Sequence, residues 1–192
     1  MKVGYGIREE INVYFRLAGR PSSRMHEGRS MTVQALFGLS VLMSFVAFGI
    51  VTKLYIWPRV RVMRREDALI PLVVPHTFRF VGLSFLIPGV VTPSLPTAFA
   101  FPAAYGDLVA ALLAVVATLA LSARASWAIA IVWVFNVWGA ADLLNASYQG
   151  LIGARIDPGS LGAAFFIPTV IVPPLLVTHG LMFWLLLRPK QS

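Results

Sequence analysis

The sequence predicts an all-α integral membrane protein, a bundle of about five transmembrane helices. Of its 192 residues, 58% are hydrophobic and only 12% are charged, which is about half the charged fraction of a soluble domain. Apolar runs long enough to span a bilayer, about 20 residues each, recur from residue 31 to the C-terminus. The chain therefore divides into a tail at 1–30 and a transmembrane domain at 31–192.

Residues 1–30 are predicted to form a basic, disordered tail. Their hydrophobic content is too low to build a core, and their lysine and arginine residues outnumber their glutamates. The sequence leaves open whether translation starts at Met1 or at Met31, where the apolar sequence begins. The apolar spans, and not this tail, therefore decide the fold.

The first span is predicted from about Met31 to Trp57. It has no small-residue cleavage site and it retains Lys53 near its end, so we interpret it as a membrane anchor and not as a cleaved signal peptide. It carries no ionisable residue at its centre. The span is therefore expected to act as scaffold.

A basic loop at 58–68 follows the first span, and its end of the bundle is called the basic face below. Its basic residues flank apolar runs, which favours contact with anionic lipid headgroups over nucleic-acid binding. The residues expected to make that contact are Arg59, Arg61, Arg64 and Arg65.

The second span, Leu69–Val91, contains His76 and Arg79 within an otherwise apolar run. Arg79 falls near the middle of the bilayer, where an unpaired charge costs about 2.5–3.5 kcal/mol. Partners from other spans are therefore required. Pro75 and Pro88 each remove a backbone hydrogen bond, so they predict kinks.

The third span, Thr97–Leu121, places Asp107 at the edge of a face of small residues. Small residues spaced by four allow two helices to approach closely. A carboxylate beside that face points towards protein and not towards lipid. The face consists of Gly106, Ala110, Ala114 and Thr118.

The fourth span, Trp127–Asn145, carries polar or small residues at successive steps of three: Asn136, Gly139 and Asp142. That spacing predicts a broad polar stripe on one side of the helix. A loop is predicted to follow at 147–160, because glycine and charged residues recur there.

The fifth span, Leu161–Leu187, contains three prolines and then His179. At a rise of about 1.5 Å per residue, His76 lies about 10 Å and His179 about 12 Å below the basic face. Two histidines at one depth on two helices predict either a proton relay or the axial ligands of a haem b.

The same arithmetic places Arg79, Asp107 and Asn136 near the midplane, about 15 Å deep. Asp142 falls closer to the opposite surface. The sequence therefore predicts an ion pair between Arg79 and Asp107, with further hydrogen bonds from Asn136 and with Asp142 as the alternative partner.

The order of these residues resembles an uncharacterised group of bacterial multi-pass membrane proteins. The resemblance covers about 69–187 and implies a membrane location without an activity. Ala104 stands where the group tends to have glycine. The motifs that carry it are His76-x-x-Arg79, Leu95-Pro96-x-x-Phe99-Ala100-x-Pro102-Ala103-x-x-Gly106-Asp107 and Asn136-x-x-Gly139-x-x-Asp142.

We interpret the cluster of Arg79, Asp107, Asn136 and Asp142 as the site of a small transporter or of a ligand- or proton-binding membrane protein. Arg79 would hold an anionic group or control the protonation of Asp107. Three alternatives stay open: a bis-histidine haem b protein, a non-catalytic scaffold subunit in a homo-oligomer or membrane complex, and an ion pair that only fixes helix register.

Several function classes are disfavoured by missing motifs. The chain has no cysteine, which excludes disulfides and thiolate ligands. It contains no G-x-S-x-G elbow, Walker loop or HExxH motif, and the two histidines with Asp107 do not complete a zinc set. The sequence therefore favours a role other than catalysis.

The distribution of basic residues predicts the orientation. The end that holds the 58–68 loop and the C-terminus has 8 lysine and arginine residues, against 7 at the other end, or 1 if the chain starts at Met31. By the positive-inside rule, this end is expected to face the cytoplasm. The protein is expected to reside in the inner membrane of the cell.

Overall fold

The structure is a computed structural model that describes residues 31–189. That part of the chain is helical, and five of its helices are long and apolar enough to cross a membrane, which confirms the predicted fold class. The predicted tail at 1–30 lies outside the described residues. The helices are α1 (Val33–Val60), α2 (Arg65–Leu86), α3 (Thr97–Ser122), α4 (Ala128–Gly153) and α5 (Ile167–Leu187).

Helix α1 begins where the Thr32 side chain accepts a hydrogen bond from the backbone N–H of Ala35, an ordinary N-cap. It continues past the predicted end at Trp57. A π-type turn at Thr52–Ile56 lets the Trp57 N–H donate to the Thr52 carbonyl, so the helix runs on although Pro58 has no N–H to donate.

Helix α2 begins four residues earlier than predicted. Glu66 and Asp67, assigned to the loop from the sequence, lie in its first turn, where negative charge complements the helix dipole. The helix ends at Leu86, because Ile87 is extended (φ −94°, ψ 114°). A residue that precedes proline is driven out of the helical region by the proline ring, and Pro88 follows Ile87.

The second half of α2, Val74–Leu86, is a 3₁₀ helix. Residues three apart are eclipsed in a 3₁₀ helix, which has 3.0 residues per turn. Its buried residues are His76, Arg79, Gly82 and Phe85, so they form one straight stripe. Pro75, predicted to cause a kink, lies where the α-helix changes to 3₁₀.

Helix α3 packs against α2 and α4. Ala110, Ala114 and Ala117 are completely buried, so the small-residue face is used inside this chain. Small side chains let the neighbouring backbones approach closely and pack by van der Waals contact.

Helix α4 runs to Gly153, eight residues beyond the predicted end. Glycine and charged residues predicted a loop from residue 147 onwards, but the Ser147 hydroxyl donates to the Leu143 carbonyl 2.8 Å away, a hydrogen bond made within the helix. A short 3₁₀ segment at Pro158–Phe165 precedes α5. Gly162 breaks that segment at φ 53°, ψ −130°, so α5 begins at Ile167 and not at Leu161.

The buried apolar side chains form two clusters on either side of a polar layer. One cluster lies towards the basic face and includes Leu72, Val132 and Met182. The other lies towards the opposite end, called the far face below, and includes Phe99 and Leu161. The buried ionisable residues of α2 to α5 lie between the clusters.

Candidate functional site

Arg79 is held by three other helix positions. Its Nε donates to Asp107 Oδ1 at 2.7 Å, its Nη2 to Asp142 Oδ2 at 2.6 Å, and its Nη1 to the Gly139 carbonyl at 3.1 Å. The arginine side chain is only 1% exposed. All three guanidinium nitrogens are therefore bonded, and Arg79 presents nothing to an external anion.

Both Asp107 and Asp142 bind Arg79 in the structure, whereas the sequence predicted Asp107 as the partner and Asp142 as the alternative. Because α4 extends to Gly153, Asp142 lies about 16 Å from the far face. Asp107 lies about 15 Å from the same face, and Arg79, in the longer-rising 3₁₀ helix, about 14 Å. With both carboxylates ionised, this triad of Arg79, Asp107 and Asp142 carries a net charge of −1.

Asn136 was expected to donate hydrogen bonds to the ion pair, and the structure places it beside His179. Its Oδ1 lies 2.6 Å from His179 Nδ1 and its Nδ2 donates to the His179 carbonyl at 3.5 Å, so its hydrogen bonds go to the histidine and not to the ion pair. The extension of α4 explains the shift: measured from the ends at Ala128 and Leu187, Asn136 and His179 both lie about 12 Å below the basic face.

The two histidines lie side by side. Their ring centroids are 4.3 Å apart at an interplanar angle of 59°. His76 Nε2 lies 2.9 Å from Thr178 Oγ1, and the Phe135 ring packs against both histidines. Within the described part of the chain, His76 Nδ1 and His179 Nε2 have no hydrogen-bond partner.

This arrangement does not fit axial ligation of a haem. Axial histidines bind iron from opposite faces of a porphyrin, so the macrocycle has to lie between the two rings. Here the rings of His76 and His179 are in direct contact, with no slot between them. Across residues 31–189, no group of three histidine, aspartate or glutamate side chains is arranged to hold a metal ion.

A cavity of about 690 Å³ lies beside the ion triad. Its walls come from all five helices and are mostly apolar. Asp107 and Asp142 form part of its lining, whereas Arg79 does not. The two carboxylate side chains are 11% and 12% exposed. The acids therefore separate the buried guanidinium from the cavity.

Three glycines make room for the polar side chains. A Cβ at Gly82 would lie 2.7 Å from Asp107 Cβ, one at Gly106 2.6 Å from Asp142 Cγ, and one at Gly139 2.9 Å from Arg79 Nη1. Any larger residue at these positions displaces the ion triad. The sequence singled out Gly106 and Gly139 but missed Gly82, whose signal is its spacing of three from Arg79.

Sequence reasoning also missed the part that α1 takes in the site. The helix was expected to be scaffold because it has no central charge, yet Phe37, Gly38, Val41 and Phe45 line the cavity. Their spacing of three and four places them on one helical face, which is the signal that the sequence carried. Thr178, beside His179, was missed because a threonine in an apolar run is common.

Comparison with known proteins places the chain in a family. Residues 36–187 match the family model described as Domain of unknown function (DUF8737). No curated protein matches the chain, and no solved structure does. The matched region starts within α1, ends with α5 and contains the whole ion triad and both histidines. Since it makes up most of the sequence, the chain belongs to the DUF8737 family.

Proposed function

We propose that this chain is a membrane protein that binds a small ligand in the cavity beside the ion triad and moves it across the bilayer. One observation carries the proposal: Asp107 and Asp142, fixed by a buried arginine, border a cavity of about 690 Å³. Ligand sites are apolar cavities of about 300–1,000 Å³ with a few placed polar groups. Ionisable residues inside a membrane mark such sites.

The number of acids supports a functional role over a purely structural one. A pair that only fixes helix register needs one acid for Arg79, closed off from solvent. This triad has a second acid, and both acids border the open space. The second carboxylate therefore adds an acid to the cavity wall that charge balance with Arg79 does not require.

Irregular backbone around the cavity supports transport in particular. The π-type turn of α5, Ile167–Ile171, is followed by Pro173, and both contribute to the cavity wall. This π-type turn lies at the far-face end of α5. Helix α2 changes to a 3₁₀ helix at Val74, near the middle of its span, and helices interrupted near the middle of the membrane are typical of transporter binding sites. Interrupted helices provide positions where a wall of the cavity moves relative to the rest.

A matched pair of tryptophan variants tests the proposal without touching the triad. A Cβ added at Gly38 or at Gly49 of α1 meets no atom within 4 Å, and Gly38 lines the cavity whereas Gly49 does not. We expect a compound screen to find a ligand that raises the thermal unfolding midpoint of the full-length protein in detergent. This rise in the midpoint is expected to be lost in Gly38→Trp, which fills the cavity, and to be kept in Gly49→Trp.

The screen behind that experiment contains cationic, neutral and anionic compounds in equal numbers. A hit that depends on the cavity is then tested for accumulation in proteoliposomes. The proposal fails if no compound of any charge distinguishes Gly38→Trp from the wild type.

We also infer that the protein resides in the cell membrane with its basic face in the cytoplasm, against anionic lipid headgroups. The Arg188 guanidinium donates to the Arg61 carbonyl at 2.9 Å, and Arg124 pairs with Asp67 at 3.5 Å. The first inter-helix loop, the third loop and the end of α5 are thus at one end. The exposed arginines Arg59, Arg61 and Arg64 lie there, as the positive-inside rule requires of a cytoplasmic face.

Single-cysteine variants test the orientation cleanly, because the chain has no cysteine of its own. Ser94 and Ser126 are exposed in loops at opposite ends of the bundle. In intact cells, a membrane-impermeant maleimide is expected to label Ser94→Cys and to leave Ser126→Cys unlabelled until the cells are lysed. Labelling in the reverse pattern contradicts the inferred orientation.

A further inference from the structure

We infer that the ligand of this cavity is an organic cation with an apolar body, held by the paired carboxylates of Asp107 and Asp142. The inference deepens the proposed function and rests on it. Three observations carry it: the charge of the triad, the free oxygens of its acids and the aromatic lining of the cavity.

The charge of the triad favours a positive ligand. Arg79 is fully enclosed and its three nitrogens are bonded, so the cavity meets the carboxylates and not the guanidinium. A charge surplus of about −1 in a region of low dielectric attracts a cation strongly and repels an anion. The rim adds one charge of each sign, Arg155 and Asp157, so it does not change this sum.

Each carboxylate keeps one oxygen that Arg79 does not bind. Arg79 binds Asp107 through Oδ1 and Asp142 through Oδ2. Asp107 Oδ2 faces Gly82 and Asp142 Oδ1 faces Gly106, at places where a Cβ would collide with the oxygen. Both acids also line the cavity, with 11% and 12% of their side chains exposed. Two acceptors on neighbouring helices suit one ammonium-type group.

The rest of the lining excludes a bare metal ion as the best occupant. Hard cations such as Ca²⁺ take 6–8 oxygen ligands, and this cavity is lined mainly by apolar side chains. Phe37, Phe45, Phe85 and Phe99 are among them. Aromatic faces attract a desolvated organic cation through the negative charge of the ring face. An apolar body of drug size therefore fills the volume while its charged group meets the acids.

The test compares two ions of the same shape and opposite charge, tetraphenylphosphonium and tetraphenylborate. Binding of each to the full-length protein in detergent is measured by equilibrium dialysis, with Gly38→Trp as the baseline for uptake by the micelle. We expect the phosphonium to bind at least about tenfold more tightly than the borate. Equal affinities, or tighter binding of the borate, overturn the inference.

A second pair of variants tests the role of charge without removing an acid. Gly38→Lys places a positive charge in the cavity, and Gly38→Gln adds a neutral side chain of similar length where space is open. Phosphonium binding is expected to weaken about tenfold or more in the lysine variant relative to the glutamine variant. Equal binding by the two variants contradicts the inference.

These outcomes are separable from those of the proposed function. If the cavity-dependent compounds of the thermal screen are neutral or anionic, the cavity is a ligand site and only the class of ligand inferred here is wrong. If no compound depends on Gly38, the proposed function fails, and this inference fails with it.

Discussion

Arg79 is the residue whose burial makes the strongest demands on its neighbours. A guanidinium has five N–H donors in a planar fork, and here one edge of that fork reaches two acids from different helices. A lysine ammonium is a compact charge without that fixed fork. The geometry of the site therefore depends on arginine specifically.

Replacement of Arg79 by glutamine is expected to lower the free energy of unfolding by about 3–5 kcal/mol, because two buried carboxylates lose their shared counterion. Arg79→Lys keeps the charge and is expected to fall between glutamine and wild type. Reversible unfolding in mixed micelles measures both. Arg155→Gln, at an exposed arginine, is the control and is expected to stay within about 0.5 kcal/mol of wild type. An Arg79→Gln variant as stable as this control contradicts the ion triad.

A second prediction concerns the histidine layer. Asn136→Leu removes the oxygen that lies 2.6 Å from His179 Nδ1, so a buried polar atom loses its partner and stability is expected to fall by about 1–3 kcal/mol. The matched control is Asn145→Leu on the exposed side of the same helix, where the change is expected within about 0.5 kcal/mol. The same unfolding assay compares the two leucine variants. Equal losses of stability would contradict the hydrogen bond between Asn136 and His179.

At the scale of the helices, the 3₁₀ stretch of α2 sets the register of the site. Buried residues at steps of three form one stripe only if the helix has three residues per turn, and Val74–Leu86 does. In an α-helix, four residues at steps of three would drift around the axis by about 60° per step. The 3₁₀ geometry therefore buries His76, Arg79 and Gly82 along one side of the helix.

Gly82 allows the close contact between α2 and Asp107 of α3 to be tested. Gly82→Ala is expected to lower stability by about 1–3 kcal/mol, because the new Cβ would lie 2.7 Å from Asp107 Cβ. Gly180→Ala on α5 is the control: its Cβ meets no atom within 4 Å, so better helix propensity should leave stability unchanged or raise it by up to about 1 kcal/mol. Thermal unfolding midpoints in one detergent measure both variants. The same sign of effect in the two variants would show that the contact at Gly82 is unimportant.

The helices also show what the sequence was able to predict. Five spans follow from hydropathy, and the need of Arg79 for an acid follows from the cost of a single buried charge. Asp142 was placed too near the surface because a loop was predicted from residue 147 onwards, although Ser147 bonds within the helix. The 3₁₀ stretch and the cavity depend on how helices pack, which no local pattern encodes.

The whole molecule is layered along the bundle axis. Apolar clusters lie towards the two faces, the histidine layer and the ion triad lie between them, and the cavity opens beside the triad. Helix α1 forms one wall of the cavity, and its segment Val33–Val51 has no buried residue. It packs against α5 and the segment before it. Helix α1, which forms one wall of the cavity, therefore contacts the rest of the bundle along one side only.

The electric potential inside the cavity distinguishes a site governed by the two carboxylates from a purely apolar one. Ala146 lines the cavity one helical turn from Asp142, so a cysteine there reports the local charge in a chain with no other thiol. The measurement is the ratio of its reaction rates with a cationic and an anionic methanethiosulfonate of similar size. Ser94→Cys in an exposed loop provides the reference ratio.

We predict that the Ala146→Cys ratio exceeds the reference by at least about tenfold and falls when Asp142→Asn is added, because that change removes the surplus charge. A ratio equal to that of Ser94→Cys, or one that favours the anionic reagent, would contradict a cavity governed by the two carboxylates.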